Sequence, residues 1–311
     1  MEQSALTPAP ANSANAKLGL ALGSGAARGL AHIGVIRALQ ERAVQIDYVA
    51  GTSIGAIIGA VYCAGNIERL ARDFISFDWK RIATLLDPVF PRSGLIDGHK
   101  VADFVRAYVS ARNVEDLPVP FCAVATDMLT GEEVVISKGD LIEAIRASIA
   151  VPGVLTPLRR DGRLLVDGGL VNPVPARTVR VMGAGRVIAV DLNGDLIQGR
   201  LAHLQYAAEP RTVGRGTSRL LDALRALHSP AAEQLNAWLR KEPMPGILDV
   251  LLGSLAIMQA QIARTSLVRD RPDLVVRPAL GTVRFMEFDR AAEIIAIGHE
   301  TAAAALDQWA H

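Results

Sequence analysis

The sequence predicts an α/β fold around a mainly parallel sheet, because two strand-turn-helix units follow each other directly. The first unit runs from the apolar strand 18–22 through a glycine-rich turn into a segment with apolar residues at helical spacing. The second unit runs from the apolar strand 46–50 into a helix at 54–64. Uninterrupted apolar strands are typical of parallel sheets that helices cover on both faces.

The rest of the pattern continues this alternation and then becomes mostly helical. We predict further strands at 121–126, 134–137, 164–166, 187–190 and 274–278. We predict further helices at 67–77, 100–110, 141–148, 218–227, 230–240, 247–264 and 289–306. The change of character beyond Asp195 indicates a helical C-terminal elaboration.

The predicted domain organisation is simple. Residues 1–16 are rich in Ala, Pro, Ser and Asn, which predicts a disordered tail, and residues 17–311 form a single domain. Its core covers about 17–193 and its helical part about 194–311. The segment 194–217 is the least patterned and is expected to be a mobile loop.

Composition excludes several classes of protein. Half of the 311 residues are hydrophobic and 21% are charged, which suits a sizeable core rather than a disordered chain. The net charge is +1 and aromatic residues make up 5%, so neither a basic patch nor stacking platforms for nucleic acid are expected. The two cysteines, Cys63 and Cys122, lie in separate apolar runs, which predicts buried thiols instead of a disulfide or a zinc site.

The sequence also gives an expectation for localisation. The first residues lack the basic and apolar regions of a secretory signal, and no stretch reaches about 18 uncharged apolar residues. We therefore expect a cytoplasmic protein whose contact with the inner membrane, if it has one, is peripheral.

The pentapeptide Gly51-Thr52-Ser53-Ile54-Gly55 has the Gly-x-Ser-x-Gly pattern of a nucleophile elbow. Such an elbow places a serine on a sharp strand-to-helix turn, where the neighbouring chain passes too close for side chains at Gly51 and Gly55. The predicted strand before it and helix after it favour Ser53 as a nucleophile over a merely structural turn.

The glycine-rich turn, residues 23–29, has two functional interpretations. A dinucleotide fingerprint would need a glycine where Arg28 stands, one residue before Gly29, and an acidic residue after the second strand, which is absent. A turn that opens a helix can instead offer backbone amides to a developing oxyanion. The expected donors belong to Ser24, Gly25 and Ala26, in a loop that starts at Gly23, while Arg28 either braces the loop or attracts an anionic head group.

No histidine is placed to act as the base for Ser53, whereas three aspartates end apolar strands. Asp127, Asp167 and Asp191 are each expected at the carboxyl end of a strand, which is the ligand-binding edge of a parallel sheet. Asp167 alone is followed by two glycines, Gly168 and Gly169, which permit a close backbone approach. Spacing by itself leaves open whether each aspartate merely closes a turn.

The motifs "GSGAARG", "GTSIG" and "DGG", in this order, resemble the patatin-like phospholipases, in particular the bacterial branch related to the catalytic domain of neuropathy target esterase. The similarity is strong over residues 18–175 and includes "ATDMLTGEEVVIS" and "AIRASIAVPGVLTPL". It continues more weakly through "LAIMQ", "PDLVVRP" and the last helix.

This resemblance implies a three-layer α/β/α sandwich and a Ser–Asp catalytic dyad without histidine, metal or other cofactor. By position, Ser53 resembles the nucleophile and Asp167 the base. The loop Gly23–Gly29 resembles the oxyanion hole, with Arg28 and Gly29 in support. The implied substrates are lipid carboxylic esters, namely phospholipids, lysophospholipids or acylglycerols.

One departure from the family concerns the oxyanion loop. Many members have three or four glycines there, whereas this chain has Ser24 and Ala26. A positive φ at Ala26 would cost about 1 kcal/mol or more. The departure leaves open which loop amides act as donors.

Several alternatives remain open at this point. The same dyad would serve a general esterase or an acyltransferase, and a patatin-like chain can also be a non-catalytic regulatory or binding partner. The apolar C-terminal helices either cover an acyl pocket, rest on a bilayer or pack on the core. The oligomeric state cannot be read from the sequence.

Overall fold

The computed structural model describes residues 16–77, 81, 96–196 and 247–309. The predicted disordered tail lies outside these residues except for Ala16. The predicted helices at 218–227 and 230–240, and the predicted loop beyond residue 196, also lie outside them.

The elements of the described residues follow the predicted order. The strands are β1 Leu18–Leu22, β2 Tyr48–Thr52, β3 Phe121–Asp127, β4 Glu133–Ile136, β5 Leu158–Arg160, β6 Arg163–Asp167, β7 Arg186–Val190 and β8 Leu274–Val276. The α-helices are α1 Ala31–Glu41, α2 Ile54–Cys63, α3 Ile67–Ile75, α4 His99–Arg106, α5 Leu141–Ser148, α6 Ala176–Val181, α7 Ile247–Asp270 and α8 Ala291–Trp309. Short 3-10 turns occur at Ala26–Leu30, Val114–Asp116, Gly168–Leu170 and Phe288–Arg290.

The strands form one sheet in the order β5-β6-β3-β2-β1-β7-β8, with β4 also paired to β3. The five strands from β3 to β8 in this order are parallel to one another. The pairs β3–β4, β3–β6 and β5–β6 are antiparallel. The prediction of a mainly parallel sheet is therefore confirmed, with an antiparallel edge that the sequence pattern did not indicate.

Helices cover both faces of this sheet, and alternate residues of β1, which point to opposite sides, belong to two separate cores. Leu20 and Leu22 of β1 lie in a large core with residues of α1, α2 and α8. Ala21 lies between them in sequence but belongs to a smaller core with residues of α6 and α7. The predicted three-layer α/β/α arrangement is confirmed.

Both cysteines are buried, as predicted, and the structure places them on opposite faces of the sheet. Cys63 of α2 belongs to the large core and Cys122 of β3 to the small core, and both thiols are free. Burial raises the pKa of the Cys122 thiol to about 12, so this thiol is unreactive at neutral pH.

The structure departs from the predicted elements at several further points. Helix α4 ends at Arg106 instead of residue 110, and α8 continues to Trp309 instead of 306. Strand β5 was not predicted, because its sequence Leu158-Arg159-Arg160 is short and mostly charged. Helix α7 extends to Asp270, six residues beyond the predicted end at 264, since the run Thr265–Arg269 contains no helix breaker. None of the described helices is both long enough and apolar enough to cross a membrane.

The C-terminal helix α8 packs backbone against backbone on α1, the helix that follows the glycine-rich loop. A Cβ atom on Gly298 would lie 2.2 Å from the carbonyl oxygen of Ala31, and one on Gly34 would lie 2.0 Å from that of Ile295. No side chain fits at either position without separating the helices. This contact fixes the start of α1, and with it the end of the loop that faces the site.

The substitution Gly298→Val should therefore lower the free energy of unfolding by at least about 2 kcal/mol, because the added side chain overpacks the α1–α8 contact. Urea unfolding followed by circular dichroism measures this change. Ala296→Val, on the exposed side of the same helix, is the matched control and should cost less than about 1 kcal/mol. Equal losses in both variants would contradict the close packing of the two helices.

Candidate active site

Ser53 lies on a strained turn between β2 and α2. Its backbone angles are φ 58° and ψ −124°, a conformation that non-glycine residues rarely adopt. A Cβ atom on Gly51 would lie 2.3 Å from the carbonyl oxygen of Gly55, and one on Gly55 would lie 2.2 Å from that of Leu22. Both glycines are thus sterically required, as the elbow pattern predicts.

The side chain of Ser53 meets Asp167. Its Oγ donates a hydrogen bond to Asp167 Oδ2 at 2.5 Å, while Asp167 Oδ1 accepts one from the Gly169 amide at 2.7 Å. Ser53 is 7% exposed and Asp167 is 1% exposed. Burial raises the pKa of the Asp167 carboxyl from 3.8 to about 6, although the hydrogen bonds from Ser53 and Gly169 act to lower it.

Asp167 reaches Ser53 by a different route from the one that the sequence suggested. We expected its strand to be parallel to the others, but β6 is antiparallel to β3. Strand β3 is long, and its last residues extend beyond the level at which Thr52 pairs with Val124. Strand β6 pairs with this extension and runs back toward the sheet, so that Asp167 lies opposite Ala125, level with Ser53.

The other two aspartates that end strands serve turns. Asp127 Oδ1 accepts a hydrogen bond from the Leu129 amide, and Asp191 Oδ1 accepts one from the Asn193 amide. Neither carboxylate has a hydrogen bond to Ser53. The turn-closing interpretation, which the sequence left open, applies to both.

The glycine-rich loop lies beside Ser53 because β1 and β2 are parallel neighbours. We expected amides from Gly23 to Ala26 to be available to an oxyanion. The Gly23 amide, however, donates to Val190 O at 3.2 Å, and the Ser24 amide donates to Pro173 O at 2.8 Å. These two amides are therefore engaged and are removed from the expected donors.

The amides of Gly25 and Ala26 donate to no group among the described residues. Ala26 has φ 50°, the positive value considered from the sequence, and it lines the same cavity as Ser53. The structure thus narrows the available loop amides to this pair.

The predicted supporting residues brace the loop from within. The Arg28 side chain is buried, and its Nε donates to the Gly25 carbonyl at 3.3 Å, which favours bracing over binding of a head group. Gly29 leaves room for Ile54, since a Cβ atom there would lie 2.3 Å from the Ile54 side chain.

His32 also supports the loop, which the sequence did not indicate. Its ring is fully buried, and Nε2 lies 2.8 Å from the Gly23 carbonyl oxygen. Burial lowers the pKa of His32 to about 4, so the neutral ring donates its Nε2 proton at pH 7. Of the other histidines, His99 and His299 pair with Asp97 and Glu41 away from Ser53. His203, His228 and His311 lie outside the described residues.

Two further residues touch the site; they lie in the segments AIRASIAVPGVLTPL and LAIMQ, but their local sequence does not indicate these contacts. The Ser148 hydroxyl, at the end of α5, accepts a hydrogen bond from the Ser53 amide at 2.9 Å and donates one to the Val124 carbonyl at 2.6 Å. The Gln259 side chain of α7 accepts a hydrogen bond from the Ser24 hydroxyl at 3.0 Å. Both contacts join elements that are distant in sequence, which is why a motif search does not find them.

An apolar cavity of about 150 Å³ opens beside Ser53. Ser53 is the one polar residue in its described lining. Five of the seven phenylalanines of the chain line it, although aromatic residues are sparse overall: Phe74, Phe77, Phe104, Phe285 and Phe288. An elongated apolar group bound at Ser53 would find here a surface that excludes water.

The described residues contain no group of three or more His, Cys, Asp or Glu side chains arranged to hold a metal ion.

Comparison with known proteins adds an independent line of information. A family model described as patatin-like phospholipase matches residues 20–180, which include both Ser53 and Asp167. An uncharacterized NTE family protein of Mycobacterium tuberculosis is 38% identical over an alignment of 345 positions. This alignment covers 97% of this chain and 96% of that protein. A protein of the same description from Mycobacterium bovis has the same identity and coverage.

A mammalian protein and a solved structure are also similar. Patatin-like phospholipase domain-containing protein 6 of Mus musculus is 30% identical over 303 residues, which cover 94% of this chain and 21% of the mouse protein. The crystal structure of VipD from Legionella pneumophila shares 13% identity with a TM-score of 0.46, covering 94% of this chain and 67% of that one.

The family model covers just over half of the chain, and the mycobacterial relatives align along nearly its whole length. The chain belongs to the patatin-like phospholipase family.

Proposed function

We propose that this protein is a serine hydrolase that cleaves carboxylic esters of lipids through Ser53 and Asp167. The observation that carries the proposal is the hydrogen bond from Ser53 Oγ to a buried carboxylate, next to an apolar cavity. Membership of the patatin-like phospholipase family supports the same reaction class.

The proposed first step is acylation of the serine. Asp167 Oδ2 takes the proton of Ser53 Oγ while this oxygen attacks the ester carbonyl carbon. The carbonyl oxygen becomes an oxyanion that the amides of Gly25 and Ala26 stabilise. The intermediate then collapses: the bond to the leaving alcohol breaks, and the alcohol takes the proton from Asp167.

The second step is hydrolysis of the acyl-enzyme. Water gives a proton to Asp167 and attacks the acyl carbon, and the proton returns to Ser53 Oγ as the carboxylic acid leaves. A pKa of about 6 suits Asp167 to both directions of transfer, because the carboxyl is mostly ionised at pH 7 yet more basic than an ordinary aspartate.

The acyl chain is proposed to lie in the apolar cavity. An apolar cavity of about 150 Å³ holds a molecule as large as benzene, which corresponds to roughly six carbons. Each methylene that leaves water contributes about 0.8 kcal/mol, roughly a fourfold gain in kcat/KM if the gain is fully expressed in the transition state. This dependence separates a lipid acyl hydrolase from a general esterase, for which chain length matters little.

Substitution of either member of the dyad should abolish most activity. Ser53→Ala removes the attacking oxygen, and it should lower kcat by at least about a thousandfold and prevent labelling by a fluorophosphonate probe. Asp167→Asn removes the base and should lower kcat by about a hundredfold or more. Thr265→Ala, at an exposed position of α7, is the control and should label like wild type. Wild-type protein that neither labels nor hydrolyses esters would contradict the proposal.

The pH dependence should report Asp167. The carboxyl must be ionised to accept the serine proton, so kcat/KM should rise with pH through an apparent pKa near 6 and level off above it. A pH series with a neutral ester substrate measures this limb. An acid limb near pH 4 would instead indicate a base with an ordinary aspartate pKa, and a limb that persists in Asp167→Asn would assign it to another group.

Filling the cavity should change the preference for acyl chains. Ile57 lines the cavity one helical turn beyond Ser53, and Ile57→Trp replaces its aliphatic side chain by a larger indole ring. The gain in kcat/KM from acetyl to hexanoyl p-nitrophenyl esters should therefore flatten, with the acetyl ester least affected. Val181→Trp, at a position that is 80% exposed, should keep the wild-type slope. A wild-type enzyme without any chain-length slope would favour the general esterase.

A further inference from the structure

The Ser24 side chain ties the glycine-rich loop to the C-terminal helix α7. Ser24 is 1% exposed, and its hydroxyl donates to Gln259 Oε1 at 3.0 Å. The same hydroxyl accepts a longer hydrogen bond from Asn193 Nδ2 at 3.4 Å. The Ser24 backbone is held by two further hydrogen bonds, one from its amide to Pro173 O and one from Asn193 Nδ2 to its carbonyl oxygen. Any residue at this position would keep the backbone ties, but only a side-chain donor can reach Gln259. A glycine at this position would have no such link.

The Gln259 carboxamide also lies against the turn that carries Asp167. A Cβ atom on Gly169 would lie 2.4 Å from Gln259 Nε2 and 2.9 Å from Asp167 Oδ1. One side chain thus contacts both parts of the proposed machinery: the loop of the oxyanion donors and the turn of the base. Gln259 lies outside residues 20–180, the part of the chain that the family model matches.

The loop needs such external ties because its backbone is strained. Ala26 holds φ 50°, which costs about 1 kcal/mol or more and persists only where the surroundings determine the conformation. Ala26 is two residues after Ser24, and its amide belongs to the pair that remains available for the oxyanion. A rotation of the loop about Ser24 would change the direction of the Gly25 and Ala26 amides before it changed anything at Ser53.

We propose that Gln259 is a positioning residue: through its hydrogen bond with Ser24 it fixes the position of the glycine-rich loop relative to the Asp167 turn. This inference rests on the proposed hydrolase function. Oxyanion donors act on charge that develops in the transition state, so their misalignment lowers kcat while ground-state binding is preserved. The C-terminal helix α7 is then part of the catalytic unit.

A double-mutant cycle tests the proposal. Ser24→Ala, Gln259→Met and the double variant are compared for kcat and KM with p-nitrophenyl butyrate. Each single change should lower kcat roughly three- to tenfold, the range expected for one hydrogen bond, with KM changed less than about twofold. The double variant should be no slower than Ser24→Ala, because Ser24→Ala already removes the bond to Gln259 together with the longer contact from Asn193. Gln261→Met, the same change at an exposed position of α7, should match wild type.

Three results would overturn the inference. Wild-type kcat in Gln259→Met, a loss confined to KM, or losses that multiply in the double variant would each show that the pair does not position the loop. If Gln259→Met does not fold, as judged by its melting temperature, Ser24→Ala is the test: a wild-type kcat in this variant overturns the inference. An active wild type with unaffected variants rejects this inference only, whereas an inactive wild type rejects the proposed function and the inference together.

Discussion

The site depends on one steric constraint: helix α2 approaches the end of β1 so closely that no side chain fits between them. A Cβ atom on Gly55 would lie 2.2 Å from the Leu22 carbonyl oxygen, which is backbone and cannot move aside. This approach forces the sharp turn that holds Ser53 at a positive φ. It also brings the residues after Leu22, the glycine-rich loop, next to the serine. The proposed nucleophile and the proposed oxyanion donors are thus located by the same contact.

The aspartate is brought in by strand pairing and by a second close backbone contact. A Cβ atom on Gly168, the residue after Asp167, would lie 2.2 Å from the Val124 carbonyl oxygen. Strand β3 continues past the level of Ser53, and β6 returns along this extension in the antiparallel direction. Thr126 Oγ1 donates to the Asp167 carbonyl oxygen at 2.8 Å, and the Asp167 amide donates to Ala150 O at 3.0 Å. The backbone of Asp167 is therefore held on both sides, which leaves its carboxylate free to meet Ser53 and Gly169.

The sequence could predict those parts of the molecule that depend on neighbouring residues. The parallel strands follow from apolar runs, and the turns at Ser53 and Asp167 follow from the glycines beside them. Contacts between distant segments left no local trace. The Pro173 carbonyl that engages the Ser24 amide, the Ser148 hydroxyl under Ser53 and the Gln259 side chain all arrive from elsewhere in the chain. The direction of β6 could not be predicted either, because the apolar pattern of a strand is the same whether the strand pairs in the parallel or the antiparallel direction.

The burial of Asp167 has a consequence for the fold itself. Its pKa of about 6 in the folded protein lies above the ordinary value of 3.8, so folding favours the protonated form. The native state is therefore destabilised relative to the unfolded chain as pH rises from about 4 to 6, and it stays so at neutral pH. A pKa difference of this size corresponds to roughly 3 kcal/mol, a large fraction of the stability of an ordinary domain. The close contacts between α1 and α8 help to offset the energy that the ionised carboxylate costs the native state.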